Sequence, residues 1–323
     1  MNNIDNILEF IKGSNDFIVT SHINPDGDNI GSTLGTYYFL KKLGKKVYYI
    51  LDDFIPSNLS FLVKDIEILK STDINIKDYN IIALDCGDKK RICISEDLIE
   101  NSNKLICIDH HTSNDYYGDL NYIDENASST SELVYNLISR YNTLHNEDII
   151  DEKIATALYT GLITDTGNFM YSNTQCTSFD MAKELLFKKA NKDLIIKEVF
   201  QSNKFDYYKL LGESLNTLDI YENKIATITV TMDMMKRNNL TFNDVDGIVS
   251  YARDIEGVEV GILIKEKEEG EVKISLRSKT YVDVSEIAKS LNGGGHKKAS
   301  GCTIYDNVEN AKNIVLKAVL EKI

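Results

Sequence analysis

The feature that most constrains the fold of this chain is a series of short apolar, β-branched runs separated by helix-like segments. The runs lie at residues 17–20, 47–51, 81–84 and 105–108, and segments with helical spacing lie at 31–43, 131–141 and 154–163. Strands that are apolar throughout their length indicate a parallel sheet covered on both faces. The first half of the chain is therefore predicted to be an α/β domain.

Polar residues follow three of these runs directly. They are Ser21 and His22 after the first run, Asp85 after the third, and Asp109, His110 and His111 after the fourth. Ligands of open α/β sheets bind beyond the carboxyl ends of the strands, so we expect these separate clusters to converge in space. The chain has five histidines, and His145 is the one that lies outside a polar cluster of this kind.

Further carboxylates are expected at the same edge. Asp26 and Asp28 flank a glycine in a turn before a helix predicted to begin near Asn29 or Gly31, although Asp also favours such positions for purely structural reasons. Asp165, close to Gly167, is open to two interpretations: the end of a helix, or another carboxylate at this edge. The Ser- and Thr-rich run at 128–132 is read as a helix N-terminus.

A set of carboxylates and imidazoles without thiols suits manganese, magnesium or iron better than structural zinc. Carboxylates buried close together would cost several kcal/mol unless cations neutralise them. Two divalent ions would do so, and a pair ~3.5–4 Å apart is the arrangement that clamps an in-line attack on phosphorus. The sequence therefore predicts a two-metal centre.

Composition limits the substrates and the location. The formal net charge is −14, which argues against holding long nucleic acid on a broad basic face but allows a small phosphorylated substrate. The chain shows neither a signal peptide nor an apolar run of about 20 residues, so no membrane partner is expected. Its five scattered cysteines, none in a C-x-x-C pair, favour reduced thiols and a cytoplasmic location.

The second half has a different organisation. Residues 186–218 are predicted to be a helical connector between a domain at 1–185 and a smaller mixed α/β domain at 219–323. Strand candidates in the latter are 225–230, 258–265 and 272–276. A short helix, the run Gly293-Gly294-Gly295-His296 and a final helix at 308–322 follow.

These motifs resemble a known family. Four segments of the first half resemble the successive motifs of the DHH phosphoesterase superfamily: His22-Ile-Asn-Pro-Asp26-Gly-Asp28, Leu84-Asp85-Cys-Gly, Asp109-His110-His111 and Thr164-Asp165-Thr166-Gly167. Two segments of the second half resemble its DHH-associated C-terminal domain: Arg277-Ser278 and Gly293-Gly294-Gly295-His296. The resemblance covers nearly the whole chain. It implies a Rossmann-like DHH domain that binds metal at 1–185 and a substrate-binding domain at 219–323.

The resemblance also implies roles for individual residues. One metal would be held by His22, Asp26 and Asp85, and the other by Asp28, Asp85, His110 and Asp165, with Asp85 as the bridge. Manganese is the expected ion, with magnesium or others as alternatives. The catalytic set would be Asp85, Asp109, His110 and His111. Asp109 would orient the neighbouring imidazoles, and His111 would either contact the substrate phosphate or assist the leaving oxygen.

Substrate would be held mainly by the second domain. Arg277 can bind a phosphate bidentately, with Ser278 beside it. A backbone turn at Gly294 and Gly295 would aim N–H groups at an anion, with His296 at its tip; taken alone, the glycine run would be only a flexible turn. Arg91 is a weaker substrate candidate.

The two-domain organisation resembles the oligoribonuclease (nanoRNase) and pAp-phosphatase branch of the superfamily. That branch implies hydrolysis of short oligoribonucleotides to mononucleotides and of 3′-phosphoadenosine 5′-phosphate (pAp) to AMP. Hydrolysis of cyclic di-AMP or of linear pApA is the alternative. A catalytically inactive nucleotide-binding regulator is a distant third, because every expected metal position is filled. A homodimer through the first domain is one hypothesis for the oligomeric state.

Overall fold

The computed structural model describes residues 3–245 and 247–323. The chain forms two compact units, one ending at Ser202 and the other Asn203–Ile323. The division falls inside the segment predicted to be a helical connector. Within the described ranges, no helix combines the length and the apolar character needed to cross a bilayer.

The first unit is built on a parallel sheet. Its strands are β1 (Asp16–Thr20), β2 (Lys46–Ile50), β3 (Ile68–Leu69), β4 (Asn80–Leu84), β5 (Lys104–Asp109) and β6 (Leu120–Ile123). The described strands pair in the order β3–β2–β1–β4–β5–β6, which is the strand order of the Rossmann fold. The predicted α/β class is therefore confirmed. The apolar pattern does not predict the edge strands β3 and β6, because they are short and only half-buried.

Helices pack against this sheet. They are α1 (Asn3–Gly13), α2 (Gly27–Lys42), α3 (Glu96–Glu100), α4 (Thr130–His145), α5 (Glu152–Asp165), α6 (Cys176–Phe187) and α7 (Lys192–Ile195). Phe17 and Ile82 pack in one core with residues of α2, α4 and α5. Ile18 and Ile81 face the opposite way, into a smaller core with Ile92. This alternation explains why the strands are apolar on both sides.

The second unit has a mixed sheet. Its strands are β7 (Asp219–Tyr221), β8 (Ile225–Val230), β9 (Val260–Glu268), β10 (Glu271–Ser278), β11 (Gly294–His296) and β12 (Ala299–Ile304). The order is β11–β12–β10–β9–β8–β7, and β8 and β9 pair in parallel. The helices are α8 (Phe205–Leu215), α9 (Met232–Arg237), α10 (Val249–Arg253), α11 (Val284–Ser290) and α12 (Val308–Leu320).

The glycine run does not form the predicted turn. Gly294, Gly295 and His296 form β11, which pairs antiparallel with β12, and the tip of this hairpin is Lys297-Lys298 rather than His296. A side chain at Gly293 would lie 2.2 Å from the carbonyl oxygen of Gly301, so glycine permits the close approach of the two backbones. Local propensity is misleading here because glycine runs are depleted in strands.

Candidate metal centre

The structure brings the polar clusters of the first unit together beyond the carboxyl ends of β1, β4 and β5. His22 lies two residues after β1, Asp85 directly follows β4, and Asp109 is the last residue of β5. The strand order reverses between β1 and β4, where doubly wound sheets open a crevice for ligands. The topology therefore places His22 and Asp85 on the two sides of that crevice.

Asp85 lies at the centre of the cluster. Its Oδ2 is 3.4 Å from Nε2 of His22, and its Oδ1 is 3.7 Å from Nε2 of His110. The hydroxyl of Thr130 donates to Oδ1 at 3.0 Å. The backbone of Asp85 is left-handed, with a φ of 54°, a conformation that Asp and Asn adopt more readily than most residues. Both carboxylate oxygens thus face imidazoles from different strands.

Backbone carbonyls orient two of the imidazoles. Nδ1 of His22 donates to the carbonyl of Ile23 at 2.7 Å, and Nδ1 of His110 donates to that of Ala127 at 3.2 Å. Since a carbonyl only accepts, each Nδ1 carries the proton and each Nε2 presents a lone pair to the carboxylates. This tautomer is the one that binds a metal through Nε2.

Asp28 is held by the N-terminus of α4. Its two carboxylate oxygens accept from the backbone N–H groups of Thr130 at 2.6 Å and Ser131 at 2.9 Å. These donors belong to the helix start at 128–132, where N–H groups and the helix dipole favour negative charge. The sequence pattern identifies the helix start but not its contact with Asp28, and a contact across about 100 residues leaves no local signal.

Asp165 is the last residue of α5. Its Oδ2 lies 3.6 Å from Nε2 of His110. The side-chain amide of Asn173 donates to the same carboxylate at 3.3 Å and to the carbonyl of Ser128 at 2.8 Å. Both interpretations of Asp165 therefore hold, because it ends a helix and also faces the cluster. No motif points to Asn173, which ties Asp165 to the segment before α4.

Asp109 holds the imidazole of His111. It is fully buried and accepts from Nδ1 of His111 at 2.6 Å and from the amide of Asn114 at 2.6 Å. Nδ1 of His110 donates to the carbonyl of Ala127, and the expectation that Asp109 also orients His110 stays a prediction. Because Nδ1 of His111 donates to Asp109, the same nitrogen cannot ligate a metal, although it lies 3.7 Å from Asp85.

The electrostatics of the cluster favour a cation. Burial raises the pKa of Asp28 well above its ordinary value, and the charges of Asp85 and Asp165 add to the effect. Burial likewise raises the pKa of Asp165 to about 7, against the opposing field of His110. Burial lowers the pKa of His110, but the nearby carboxylates outweigh it and raise the value to about 9. The carboxylates thus crowd one another, and positive charge placed among them would stabilise their ionised forms.

Among the residues that the structure describes, three groups of side chains could hold a metal ion, with ligand atoms within 4.8 Å of one another in each group. The groups are His22, Asp26 and Asp85; Asp28, His110 and Asp165; and Asp85, His110 and His111. Every donor is a carboxylate oxygen or an imidazole nitrogen, a set that fits manganese, magnesium or iron. The first group contains the three ligands that the sequence motifs assign to one metal. The second contains three of the four assigned to the other metal, without Asp85, which instead groups with His110 and His111.

The residues predicted to bind substrate, apart from His111, lie outside the segments that form the metal cluster. Arg91 is exposed in the turn after Asp85, and its carbonyl accepts from the backbone of Ile23 at 2.9 Å, so the turn is tied to the His22 loop. Arg277 and Ser278 end β10 in the second unit. Ser278 is buried, and its hydroxyl donates to the carbonyl of Lys297 at 3.4 Å, which gives it a structural contact in the hairpin.

Comparisons with known proteins identify the class to which this fold and cluster belong. The DHH family N-terminal domain matches residues 16–162, and the DHHA1 domain matches residues 223–323. The chain therefore belongs to the DHH family of phosphoesterases, which confirms the assignment made from the motifs.

Similar proteins include two named enzymes and one solved structure. A bifunctional oligoribonuclease and PAP phosphatase of Thermus thermophilus is 32% identical over 98% of this chain and 92% of its own. A cyclic-di-AMP phosphodiesterase of Listeria monocytogenes is 26% identical over 97% of this chain and 48% of its own. The crystal structure of an exopolyphosphatase-related protein from Bacteroides fragilis has a TM-score of 0.89, with 28% identity and coverage of 99% and 96% of the two chains.

Proposed function

We propose that this protein hydrolyses short oligoribonucleotides to mononucleotides and pAp to AMP at a centre of two divalent metal ions. The observation that carries the proposal is the position of Asp85, whose two carboxylate oxygens face His22 on one side and His110 on the other. A carboxylate placed in this way can be shared between two ions. The Thermus thermophilus relative, named for both activities, supports this choice of substrates.

The residues divide into two ligand sets. We assign the group of His22, Asp26 and Asp85 to one ion and the group of Asp28, His110 and Asp165 to the other. We add Asp85 to the second set as the shared ligand, because its Oδ1 lies 3.7 Å from Nε2 of His110. When bound, two divalent ions activate a water molecule and offset negative charge at phosphorus. Manganese is the ion we propose, with magnesium as the alternative that the same donors suit.

Other residues orient the imidazoles or contact the substrate. Asp109 holds His111 through Nδ1, which turns Nε2 away from Asp109 for a phosphate or leaving oxygen. The carbonyls of Ile23 and Ala127 keep His22 and His110 in the tautomer that binds metal. In the second unit, we assign phosphate binding to Arg277, because a guanidinium matches a phosphate with two parallel hydrogen bonds. Gly294, Gly295 and His296 are proposed to contact the same nucleotide.

Substrate choice is tested by turnover of pAp, pApA and cyclic di-AMP, side by side with Mn²⁺. We expect pAp and pApA to be hydrolysed, because both present a terminal nucleotide with a free phosphate. Product formation is followed by chromatography. Turnover of none of the three would overturn the enzymatic proposal. Faster turnover of cyclic di-AMP than of the other two would instead assign the chain the activity for which the Listeria relative is named.

Metal binding is expected to raise the temperature of unfolding. Mn²⁺ at about 100 times its dissociation constant would stabilise the folded chain by about 2.7 kcal/mol, and EDTA should reverse the effect. Asp165→Asn should reduce the rise measured by calorimetry, because it removes a ligand from one group. Glu125→Gln is the matched control, since Glu125 is exposed and lies outside the three groups. An equal rise in wild type and Asp165→Asn would contradict the ligand assignment.

A further inference from the structure

Part of the second sheet has an open face. Along β10, alternate residues Val272, Ile274 and Leu276 are buried in the core that α11 and α12 complete. Lys273, Ser275 and Arg277 point to the opposite side. On that side, the core formed with α9 and α10 includes Leu263 of β9 but no residue of β10, β11 or β12 that the structure describes. The three strands therefore form the floor of an open groove.

This groove has a volume of about 610 Å³. The lining residues that matter here are Lys273, Ser275, Arg277, Gly294, Thr303 and Tyr305. Arg277, assigned to substrate binding above, lies at one end of it, and Gly294 pairs with Gly301, which is level with Ser275. The antiparallel register pairs Arg277 with Ala299 and Lys273 with Thr303, so Lys273 lies further along the same floor.

The charge of the groove differs from that of the whole chain. The chain has a formal net charge of −14, yet the described lining includes two cationic side chains and no acidic one. The nearest acid along the strand, Glu271, is paired with Lys267 at 2.7 Å. Among the described residues, Lys273 has no carboxylate partner within salt-bridge distance. Local positive charge of this kind attracts an anion to a protein that otherwise repels it.

The spacing along β10 allows for more than one phosphate. Lys273 and Arg277 are four residues apart on one strand, which corresponds to about 13 Å at the usual rise per residue. With their Cα atoms this far apart, the two cations can each face a different phosphate of one strand. Beyond Lys273, Tyr305 lines the groove with a side chain that is 79% exposed. An exposed aromatic ring beside a cation is the combination on which single-stranded nucleic acids stack their bases.

We propose that Lys273 and Tyr305 form a subsite for a second nucleotide of single-stranded RNA, next to the nucleotide that Arg277 binds. The inference rests on the proposed function and extends it, because it assigns the residues that distinguish an oligoribonucleotide from pAp. Lys273 contacts the phosphate that links the two nucleotides, and the ring of Tyr305 stacks on the second base. A mononucleotide such as pAp, bound at Arg277, is too short to contact this subsite.

The test measures binding in the absence of turnover. Wild type, Lys273→Ala and Tyr305→Ala, each as the full chain in EDTA, are titrated with pAp and with pApApA by calorimetry. We expect each variant to bind pApApA about tenfold more weakly and pAp with unchanged affinity. Lys273→Ala should also lower the slope of log affinity against log salt by about 0.7. Tyr305→Phe should retain wild-type binding, because phenylalanine preserves the stacking face.

Lys317→Ala is the matched control and should behave as the wild type, since Lys317 is exposed on α12, which packs on the other side of the sheet. Equal losses for pAp and pApApA, no loss for either, or no binding of pApApA by the wild type would each overturn the subsite. Hydrolysis by the wild type with Mn²⁺ tests the proposed function separately. If the wild type cleaves both substrates but Lys273→Ala has no effect on binding, the proposed function stands and the proposed subsite is wrong.

Discussion

Asp85→Asn is expected to lower kcat/KM for pAp and pApA by more than about 100-fold while the protein stays folded. Changes to residues that only support metal ligands cost about 10–100-fold in many enzymes, so loss of the proposed shared ligand should exceed that range. Asparagine keeps the size of the side chain but lacks the negative charge that His22 and His110 face. It also tolerates the left-handed backbone at this position, where the φ is 54°.

The choice of asparagine separates chemistry from folding. Alanine at Asp85 would add backbone strain of about 1–2 kcal/mol, so its loss of activity would be harder to interpret. The measurements are steady-state kinetics, metal content by mass spectrometry and the circular dichroism spectrum. Asp52→Asn is the control, because Asp52 follows β2 of the same sheet, is exposed and binds Ser71 instead of the cluster. Near-normal turnover by Asp85→Asn would show that Asp85 is not the shared ligand.

Local patterns predict the parts of this protein that depend on local physics. The runs that form β1, β2, β4 and β5 can be recognised as strands from the sequence, because a strand buried on both faces must be apolar throughout. The convergence of residues at the strand ends follows from parallel topology alone. The predicted start of α2 is too late, since the helix begins at Gly27 with Asp26 as its N-cap. Asp26 thus combines the capping role and a position in the cluster, which the sequence presents as alternatives.

The contacts that position the site cannot be read from the sequence. Asp28 depends on the backbone of Thr130 and Ser131, and backbone N–H groups carry no residue signature. Asn173 reaches Asp165 from a loop whose path is set by packing. The strand β11 forms from glycines that local propensity assigns to a turn, because pairing with β12 compensates for their poor propensity. In each case the deciding interaction is non-local.

Gly161→Ala is expected to destabilise the first unit by about 1–3 kcal/mol and to reduce turnover by about 100-fold. Gly161 lies inside α5, where alanine would normally be the better helix former. A Cβ at this position, however, would lie 1.9 Å from Oγ of Ser131 and 2.6 Å from Oδ1 of Asp28. Rotation of the serine hydroxyl would leave Cβ of Ser131 at 2.9 Å. Asp28 cannot move without breaking its hydrogen bonds to Thr130 and Ser131. The substitution therefore displaces a proposed metal ligand.

Gly212→Ala is the matched control for this prediction. Gly212 also lies inside a helix, α8, and a Cβ there would meet no atom within 4 Å. Alanine should therefore raise the free energy of unfolding by about 0.5–1 kcal/mol and leave turnover unchanged. The stability of both variants is measured by thermal unfolding with and without Mn²⁺, and their turnover by steady-state kinetics. If Gly161→Ala were as stable and as active as Gly212→Ala, the carboxylate of Asp28 would not be fixed against α4, and its assignment as a rigid metal ligand would be wrong.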